Sequence, residues 1–493
     1  MSPLPETRVT DSRIQCCIEC GVAYLPKAQY ALRTLLRPIR LEPEWVTRDA
    51  LSDVGIFYGA GVQDIGFGTL VVPLETSTES YFASRSAMPH LPLNISPDGL
   101  LRLFPFQAPE SNDAVSVNQL SWDPIASAFF FLSGWQEWVD DARDVHGRFP
   151  YERSILARYD LGGNPMVDRY RRYLRGRLEA LGLNITRRLW NGRESAVCIT
   201  HDIDYHRKWR PGILVGETMK NVVRSSPAGR LNGLARLARS LGTSIAKGDP
   251  FRRSANEMIA AETVGGFGAT WFFKAAAHGS FDVDYSIKKG WIRRIIDHLE
   301  ISGFEIGLHT SYFASDHPGY VEDEQKRLQG VLTGALQSVR SHYLRWFVST
   351  TSRIYADAGF FIDSSLGFAE REGFRNGTSV PFRIFDIPAN QPLDIWEMPL
   401  AIMDTTLYGY RDLDLEAGIE ATRRLMEVTK EFGGVLVILW HNIMLDTLGN
   451  DKIAPHFAGI LEDLDPRTVY VASLRDALSV WLDQTAATTQ GDE

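Results

Sequence analysis

The amino-acid sequence predicts an α/β protein built on parallel βα units and preceded by a smaller α+β domain. From about residue 190 onward, short apolar runs of strand length alternate with longer stretches of helical period. Before that point, short strand runs and Gly/Pro-rich turns give way to helical stretches, and 493 residues are enough for two domains. We predict an amino-terminal α+β accessory domain at 1–189, a βα domain at 190–484 and a polar tail at 485–493.

In the first region, the runs Val54–Tyr58 and Thr69–Val72 are predicted strands. Residues 125–145 carry a broad apolar face and are predicted to be helical, as are residues 165–184. The polar stretch that follows the first of these helices, 143–149, is interpreted as a structural loop that packs on the second domain.

The second region contains strands and helices in alternation, with one helical insertion at 206–265. The predicted strands are Ala196–Ile199, Ala269–Ala275, Phe304–Leu308, Val339–Trp346, Phe360–Asp363, Trp396–Met403, Val435–Trp440 and Thr468–Ala472, and the predicted helices are 291–301, 319–337, 415–432 and 474–482.

Three of these apolar runs end in ionisable side chains. The first delivers Asp202 and Asp204, the third delivers His309, and the run that begins at Val435 delivers His441. The carboxyl ends of parallel strands meet at one edge of a sheet, where α/β proteins gather their ligands. One histidine at a strand end is commonly structural, but this set predicts a metal or acid/base site.

Composition excludes several other functional classes. The 52 basic and 61 acidic residues give a net charge of −9, without a basic block suited to nucleic acid. No stretch has the roughly 20 apolar residues that a membrane span needs, and the first residues lack the apolar core of a secretory signal. A cytoplasmic location is therefore expected. The lone Cys17-Ile-Glu-Cys20 motif lacks a second ligand pair, which favours ordinary reduced thiols over a zinc site.

The order of these motifs resembles the polysaccharide deacetylase family. The family's Thr-Phe-Asp-Asp motif is similar to Thr200-His-Asp-Ile-Asp204, in which one residue separates the carboxylates. The segments that begin at His309 (HTSY) and Arg340 (RSHYLR) resemble a divergent bacterial branch of that family. The resemblance covers about residues 190–480, and Phe129–Pro150 resembles the amino-terminal domain of that branch. It implies a distorted (β/α) barrel of the polysaccharide deacetylase type at 190–484.

The resemblance also implies an activity, a cofactor and roles for individual residues. The activity is metal-dependent removal of N-acetyl groups from an amino-sugar glycan or glycan precursor, with a divalent metal, zinc by preference, as cofactor. Asp202 would be the base, and Asp204 and His309 would hold the metal. His441 would protonate the departing amine. Arg340 would hold Asp202 as an ion pair, and Asp363 would support the catalytic histidine, although structural ion pairs explain these last two residues equally well.

The sequence departs from the family where a second metal-binding histidine is expected, because Phe313 stands there. His342 is the best substitute ligand, since it follows the next apolar stretch and should reach the same rim. His201 is the second candidate, although strand alternation points it away from Asp202. The residue inserted between the two aspartates leaves open whether Asp202 and Asp204 exchange their roles.

Three functions remain open at this stage. The first is the metal-dependent carbohydrate N-deacetylase, with an N-acetylated carbohydrate as its partner. The second is a metal-independent hydrolase of a small amide, which the missing histidine favours. The third is a non-catalytic carbohydrate-binding protein on the same scaffold.

Overall fold

The structure is a computed structural model. It describes residues 11–52, 54–61, 65–66, 68–89, 93, 95–105, 118–210, 215–216, 218–219, 227–282, 285–446 and 453–483. The predicted polar tail and part of the predicted insertion lie outside the described residues.

The first region folds around a small parallel sheet in which the strands lie in the order β2-β1-β3-β4. Helices pack beside this sheet, and the longest of them, α6, has a buried apolar stripe of the kind that its sequence period predicts. The elements are β1 (Ser12–Glu19), α1 (Leu25–Leu36), β2 (Leu41–Trp45), β3 (Gly55–Gly59), β4 (Thr69–Pro73), α2 (Thr76–Ser84), α3 (Pro124–Leu132), α4 (Trp135–Val139), α5 (Ile155–Arg158) and α6 (Met166–Ala180).

The second region contains a ten-stranded sheet that curls into a half-barrel. Its strands lie in the order β10-β11-β9-β8-β7-β6-β5-β13-β12, with β14 also paired to β5, and all pairings except β10 with β11 are parallel. The strands are β5 (Ser195–Ile203), β6 (Ala269–Phe273), β7 (Glu305–Thr310), β8 (Ser338–Ser341), β9 (Ile362–Asp363), β10 (Phe382–Asp386), β11 (Gln391–Glu397), β12 (Leu400–Met403), β13 (Val435–Leu439) and β14 (Val469–Val471).

Helices flank these strands in the alternation that the sequence predicts. In the described part of 206–265, two helices follow one another, and each later helix connects or follows strands of the half-barrel. The helices are α7 (Pro227–Lys247), α8 (Pro250–Gly265), α9 (Gly290–Ile301), α10 (Pro318–Gln329), α11 (Thr351–Asp357), α12 (Leu415–Phe432), α13 (Pro455–Asp463) and α14 (Leu474–Asp483).

Within the described residues, strand pairing does not close the sheet into a complete barrel, because β10 and β12 remain its edges. The segment between β9 and β10 lies against the β12 side instead. The Gly373 amide donates to Ala401 O at 2.8 Å, and the Val435 amide donates to Ser379 O at 2.8 Å. Gly373 has φ 132°, and a Cβ there would lie 2.0 Å from Gly162 O, so only glycine fits where the two regions meet.

Several predicted elements are shorter than expected or divide in two. The strand predicted at Trp396–Met403 divides into the end of β11 and β12, with Met398 and Pro399 between them. The helix at 125–145 divides at Gly134, whose φ of 65° separates α3 from α4. The helix predicted at 319–337 ends at Gln329. The strand predicted at 339–346 ends at Ser341, because Tyr343 and Leu344 have φ of 60° and 53°, which a strand cannot accommodate.

The two regions share one hydrophobic core. Its buried members include Ile14 and Phe129 from the first region and Ile199 and Trp271 from the half-barrel. The division at residue 189 therefore stays a prediction about sequence organisation, since packing is continuous across it.

Three of the four cysteines lie on β1 or directly after it. Cys16, Cys17 and Cys20 are free thiols, and the first two lie buried on β1. Burial raises the pKa of Cys20 to about 12. None of the helices in the described part of the chain is long and apolar enough to cross a membrane.

Candidate active site

The carboxyl ends of β5, β7, β8, β12 and β13 surround one pocket of about 210 Å³. The predicted acidic pair and three of the predicted histidines all reach it, together with tyrosines and apolar side chains. The lining comprises Asp202, Asp204, His309, His342 and His441, the tyrosines Tyr205, Tyr343 and Tyr410, the apolar residues Leu344, Met403, Leu439 and Ile443, and Arg148, Ser341 and Thr405.

The acidic pair faces the pocket because β5 continues through Ile203. Side chains two apart on a strand lie on the same face, so the inserted residue keeps Asp202 and Asp204 together. Arg340 Nη1 lies 3.2 Å from Asp202 Oδ1, and both side chains are buried. The ion pair expected between these two residues is therefore present, and it fixes one carboxylate oxygen of Asp202.

Asp204, His309 and His342 form a group whose ligand atoms all lie within 4.8 Å of one another. Asp204 Oδ1 is 3.4 Å from His309 Nε2 and 3.3 Å from His342 Nε2. One carboxylate and two imidazoles are a donor set that suits Zn²⁺ and leaves a coordination position open.

The other nitrogen of each ring has a partner that orients it. His309 Nδ1 lies 3.1 Å from the carbonyl oxygen of Arg340, and His342 Nδ1 lies 2.8 Å from Asp282 Oδ1. Metal-binding histidines are held in this way by a carbonyl or a carboxylate, with the second nitrogen free to ligate. Both Nε2 atoms are thus available as ligands, and these residues fit a divalent ion.

The Lys274 side chain brings a positive charge to this group, because its Nζ lies 3.0 Å from Asp204 Oδ1. Burial alone would raise the pKa of Asp204, but the Lys274 ammonium and the His342 and His309 imidazoles hold it well below its usual value. Asp204 is therefore ionised at neutral pH in a half-buried position.

His441 is oriented by Asp404 at the end of β12. The His441 amide donates to Asp404 Oδ2, and His441 Nδ1 lies 2.8 Å from Asp404 Oδ1. Burial would lower the pKa of His441, but Asp404, with smaller contributions from Asp204 and Asp202, raises it to about 9. The imidazole is therefore a cation at neutral pH, with Nε2 3.8 Å from Asp204 Oδ2.

Asp363, which the resemblance implied as the support of His441, does not line the pocket, and Asp404 is the carboxylate that contacts His441. Asp363 is fully buried on β9 and pairs in register with Glu397 on β11. Ser365 Oγ donates to Asp363 Oδ1 at 2.6 Å. Asp363 thus lies beneath the pocket rather than at its mouth.

His201 is removed from the candidate ligands. As strand alternation predicts, it lies on the opposite face of β5 from the aspartates. Its ring nitrogens contact Trp440 O at 2.6 Å and Glu262 Oε1 at 2.5 Å. His342 is the imidazole that the structure brings to Asp204 in the absence of a histidine at Phe313.

Four site residues were not predicted from the sequence as participants: Asp282, Lys274, Asp404 and Arg148. Asp404 carried a signal, because it ends a predicted strand just as the other site residues do. Lys274 carried the same signal, since it directly follows the apolar run of β6, whereas Asp282 carried none, because it lies in a connection.

Comparisons with known proteins give partial matches. Residues 64–182 match a family model described as a family of unknown function (DUF7033). No curated protein matches the chain.

Three solved structures show some similarity to this chain. A Mycobacterium smegmatis protein provisionally described as a polysaccharide deacetylase has 16% identity and a TM-score of 0.38, over 61% of this chain and 95% of its own. A CE4 family pseudoenzyme mutant, whose wild type is from Bacillus anthracis, has 8% identity and a TM-score of 0.30, over 58% and 68% of the two chains. A mutant of the Bacillus subtilis peptidoglycan deacetylase PdaC has 9% identity and a TM-score of 0.28, over 59% and 92%. At TM-scores below 0.5, these similarities carry no argument about what this chain does.

Proposed function

We propose that this protein is a metal-dependent hydrolase that removes N-acetyl groups from an amino-sugar glycan or glycan precursor. The observation that carries the proposal is the group of Asp204, His309 and His342, with both Nε2 atoms free to ligate, between a carboxylate and a cationic imidazole. Amide hydrolysis requires these parts: a cation at the carbonyl, a base for water and an acid for the amine.

Each residue then has one role. Asp204, His309 and His342 would hold the divalent ion, which when bound polarises the acetyl carbonyl and lowers the pKa of water. Asp202 accepts the proton of the attacking water, because Arg340 holds its Oδ1 and Oδ2 remains on the pocket side. Asp404 raises the pKa of His441 and so keeps its imidazole protonated, and His441 donates this proton to the departing nitrogen.

The walls of the pocket suit an acetylated sugar. Leu344, Met403 and Leu439 provide an apolar surface of the kind an acetyl methyl group requires. Tyr205, Tyr343 and Tyr410 provide aromatic faces and hydroxyl groups, which are suited to a sugar ring. A volume of about 210 Å³ accommodates one sugar unit at the reacting position rather than a long chain.

The test compares two isosteric substitutions. Asp202→Asn removes the proton acceptor but no metal ligand, so acetate release should fall by about 10²–10⁴ while bound zinc persists. Asp204→Asn should lose zinc and activity together. The measurements are zinc content of the purified protein and acetate release from N-acetylated glucosamine oligomers. If Asp202→Asn empties the site and Asp204→Asn does not, the two roles are exchanged.

A metal-independent amide hydrolase is the second candidate, and the ion pair between Lys274 and Asp204 favours it. An ammonium 3.0 Å from Asp204 Oδ1 already neutralises this carboxylate without a metal ion. If the wild type releases acetate at an unchanged rate after dialysis against a strong chelator, this candidate replaces the first.

A further inference from the structure

Residues 144–148 form a tight loop that reaches from the first region to the rim of the pocket. Asp144 organises the loop, because its Oδ1 accepts from the amides of His146 at 2.9 Å and Arg148 at 2.8 Å. Gly147, with φ 78°, allows the turn. The Arg148 guanidinium then closes it, with Nε 2.8 Å and Nη2 2.6 Å from Asp144 Oδ2.

This loop contacts the turn that carries His342. Arg148 Nη1 donates to Tyr343 O at 3.1 Å, and Arg345 Nε donates back to His146 O at 2.8 Å. The rings of His146 and Tyr343 also pack together, with centroids 4.6 Å apart. The turn is thus bonded to the loop on both sides of Leu344.

The turn needs such contacts because its backbone is strained. Tyr343 and Leu344 both adopt the left-handed conformation, with φ of 60° and 53°, which is unfavourable for residues other than glycine. Conformations of this kind persist only where the surroundings determine them. Since His342 directly precedes the two strained residues, the orientation of its imidazole depends on what holds them.

We propose that the Asp144–Arg148 loop is a positioning element for the metal site, and that Arg148 holds the strained turn at Tyr343 so that His342 can reach the cation. The loop lies inside the segment 64–182 that matches the family of unknown function.

Arg148 is a positioning residue rather than a handle for an anionic substrate. Its Nε and Nη2 bind Asp144, its Nη1 binds Tyr343 O, and its Nη2 also donates to Tyr410 OH at 3.1 Å. A guanidinium that is buried and already has an anionic partner has little left to offer a second anion.

The experiment compares Arg148→Met with Arg143→Met in the full chain. Arg143 is a matched control, because it lies in the same stretch, is exposed and donates only to carbonyls of Glu137, Asp140 and Ala142. The first measurement is zinc affinity by competition with a chromophoric chelator, well below the unfolding temperature. The second is amide hydrogen exchange of the peptide that covers 342–347. Arg148→Lys is included, since it keeps the charge but cannot serve Asp144 and Tyr343 together.

Arg148→Met should weaken zinc binding by about 10- to 100-fold, the range for groups that orient a ligand from outside. Exchange at 342–347 should become faster, whereas Arg143→Met should match the wild type in both measurements. Arg148→Lys should give values between those of the wild type and Arg148→Met in both measurements. If Arg148→Met does not fold, Arg148→Lys takes its place in the comparison with Arg143→Met.

The zinc-affinity measurement rests on the proposed function, whereas the hydrogen-exchange measurement does not. Failure of this inference and failure of the proposed function can therefore be distinguished. If the wild type binds zinc and Arg148→Met binds it equally well, the positioning role is wrong. If the wild type binds no zinc, the proposed function fails, and hydrogen exchange alone decides the role of the loop. Unchanged exchange in Arg148→Met would then overturn it.

Discussion

Lys274 changes the electrostatics of the site at the level of a single residue. The Asp204 carboxylate would contact both a bound metal ion and the Lys274 ammonium. Lys274 Nζ lies 3.0 Å from Asp204 Oδ1. Two effects oppose each other. The lysine orients the carboxylate, which favours metal binding, and its charge repels the metal, which opposes it. At an effective dielectric constant of about 20, a double and a single charge about 5 Å apart repel by about 7 kcal/mol. Loss of an orienting bond costs only about 1–3 kcal/mol, so the repulsion dominates.

Lys274→Met should therefore bind zinc more tightly than the wild type, by at least about tenfold. The metal-free variant should also be less stable, because Asp204 loses its partner, so zinc should raise its unfolding temperature more than it raises that of the wild type. Isothermal titration and thermal unfolding with and without zinc measure the two effects.

Lys208→Met is the matched control for this substitution. Lys208 is as buried as Lys274, at 2% exposure, but pairs with Asp446 rather than with a candidate ligand. It should lose stability without gaining zinc affinity. Weaker zinc binding in Lys274→Met would mean that the lysine acts mainly by orienting Asp204.

At this scale, the sequence predicts most of the site residues that end strands, although not Lys274 and Asp404, and it misses Asp282, which lies in a connection. Asp202, Asp204, His309 and His441 follow apolar runs, and parallel strands bring such ends together. Asp282 reaches His342 from a connection 60 residues earlier in the chain. No spacing rule relates these two positions, because the contact depends on how that connection packs.

At the scale of elements, β9 and β11 bring two carboxyl groups together beneath the pocket. Asp363 Oδ2 and Glu397 Oε2 are buried, and within the described residues neither has a hydrogen-bond partner outside this pair. Burial raises the pKa of Glu397 well above its usual value, and the neighbouring Asp363 adds to this. Burial likewise raises the pKa of Asp363 to about 6. The pair is therefore stable when one carboxyl is protonated and donates to the other.

Glu397→Gln should be more stable than the wild type at pH 8 and should lose this advantage by pH 5. A carboxyl whose pKa is raised in the folded state contributes stability below its unfolded pKa of about 4.3, and this is lost as pH rises through the folded value. The glutamine amide does not titrate and donates to Asp363 at every pH. The variant therefore does not lose stability as the pH rises. The measurement is the difference in unfolding temperature between the two proteins from pH 5 to pH 8.

Glu372→Gln serves as the control, because Glu372 is equally buried but pairs with Arg411 at 2.5 Å. This variant should be less stable than the wild type at pH 8, since it leaves a guanidinium without its anion. If Glu397→Gln is also destabilised at pH 8, the two carboxyls do not share a proton.

The sequence predicts the existence of elements better than their ends. Seven of the eight predicted strands of the second region are present, because runs of four or more apolar residues are typical of buried parallel strands, and the eighth, Trp396–Met403, divides into the end of β11 and β12. The ends depend on tertiary contacts. The strand expected to reach Trp346 stops at Ser341, where the loop at 144–148 bonds to Tyr343. No local signal announces that contact.

At the scale of the whole molecule, the two regions pack as one body across a buried polar junction. Glu137 of α4 pairs with Arg375, with Nε 2.9 Å from Oε1. Asp168 of α6 accepts from Thr378 Oγ1 at 2.7 Å, from the Ser379 amide at 2.8 Å and from Arg171 Nη1 at 2.9 Å. The sequence predicts two domains because their patterns differ, but it cannot show that side chains from both fill one core.

Asp168→Ala tests this unity, because Asp168 is completely buried and binds both regions. Removal of one partner from a buried ion pair costs about 3–5 kcal/mol, since Arg171 keeps its charge without an anion. An unfolding entropy of about 2.1 cal/mol/K per residue makes 1 kcal/mol worth about 1 °C in a chain of 493 residues, so the unfolding temperature should fall by about 3–5 °C.

The exposed pair of Arg172 and Glu431 also joins α6 to the half-barrel side, and Glu431→Gln should cost no more than about 1 kcal/mol. Calorimetry should show one transition in all three proteins. A separate low-temperature transition in Asp168→Ala would show that the first region unfolds independently of the half-barrel.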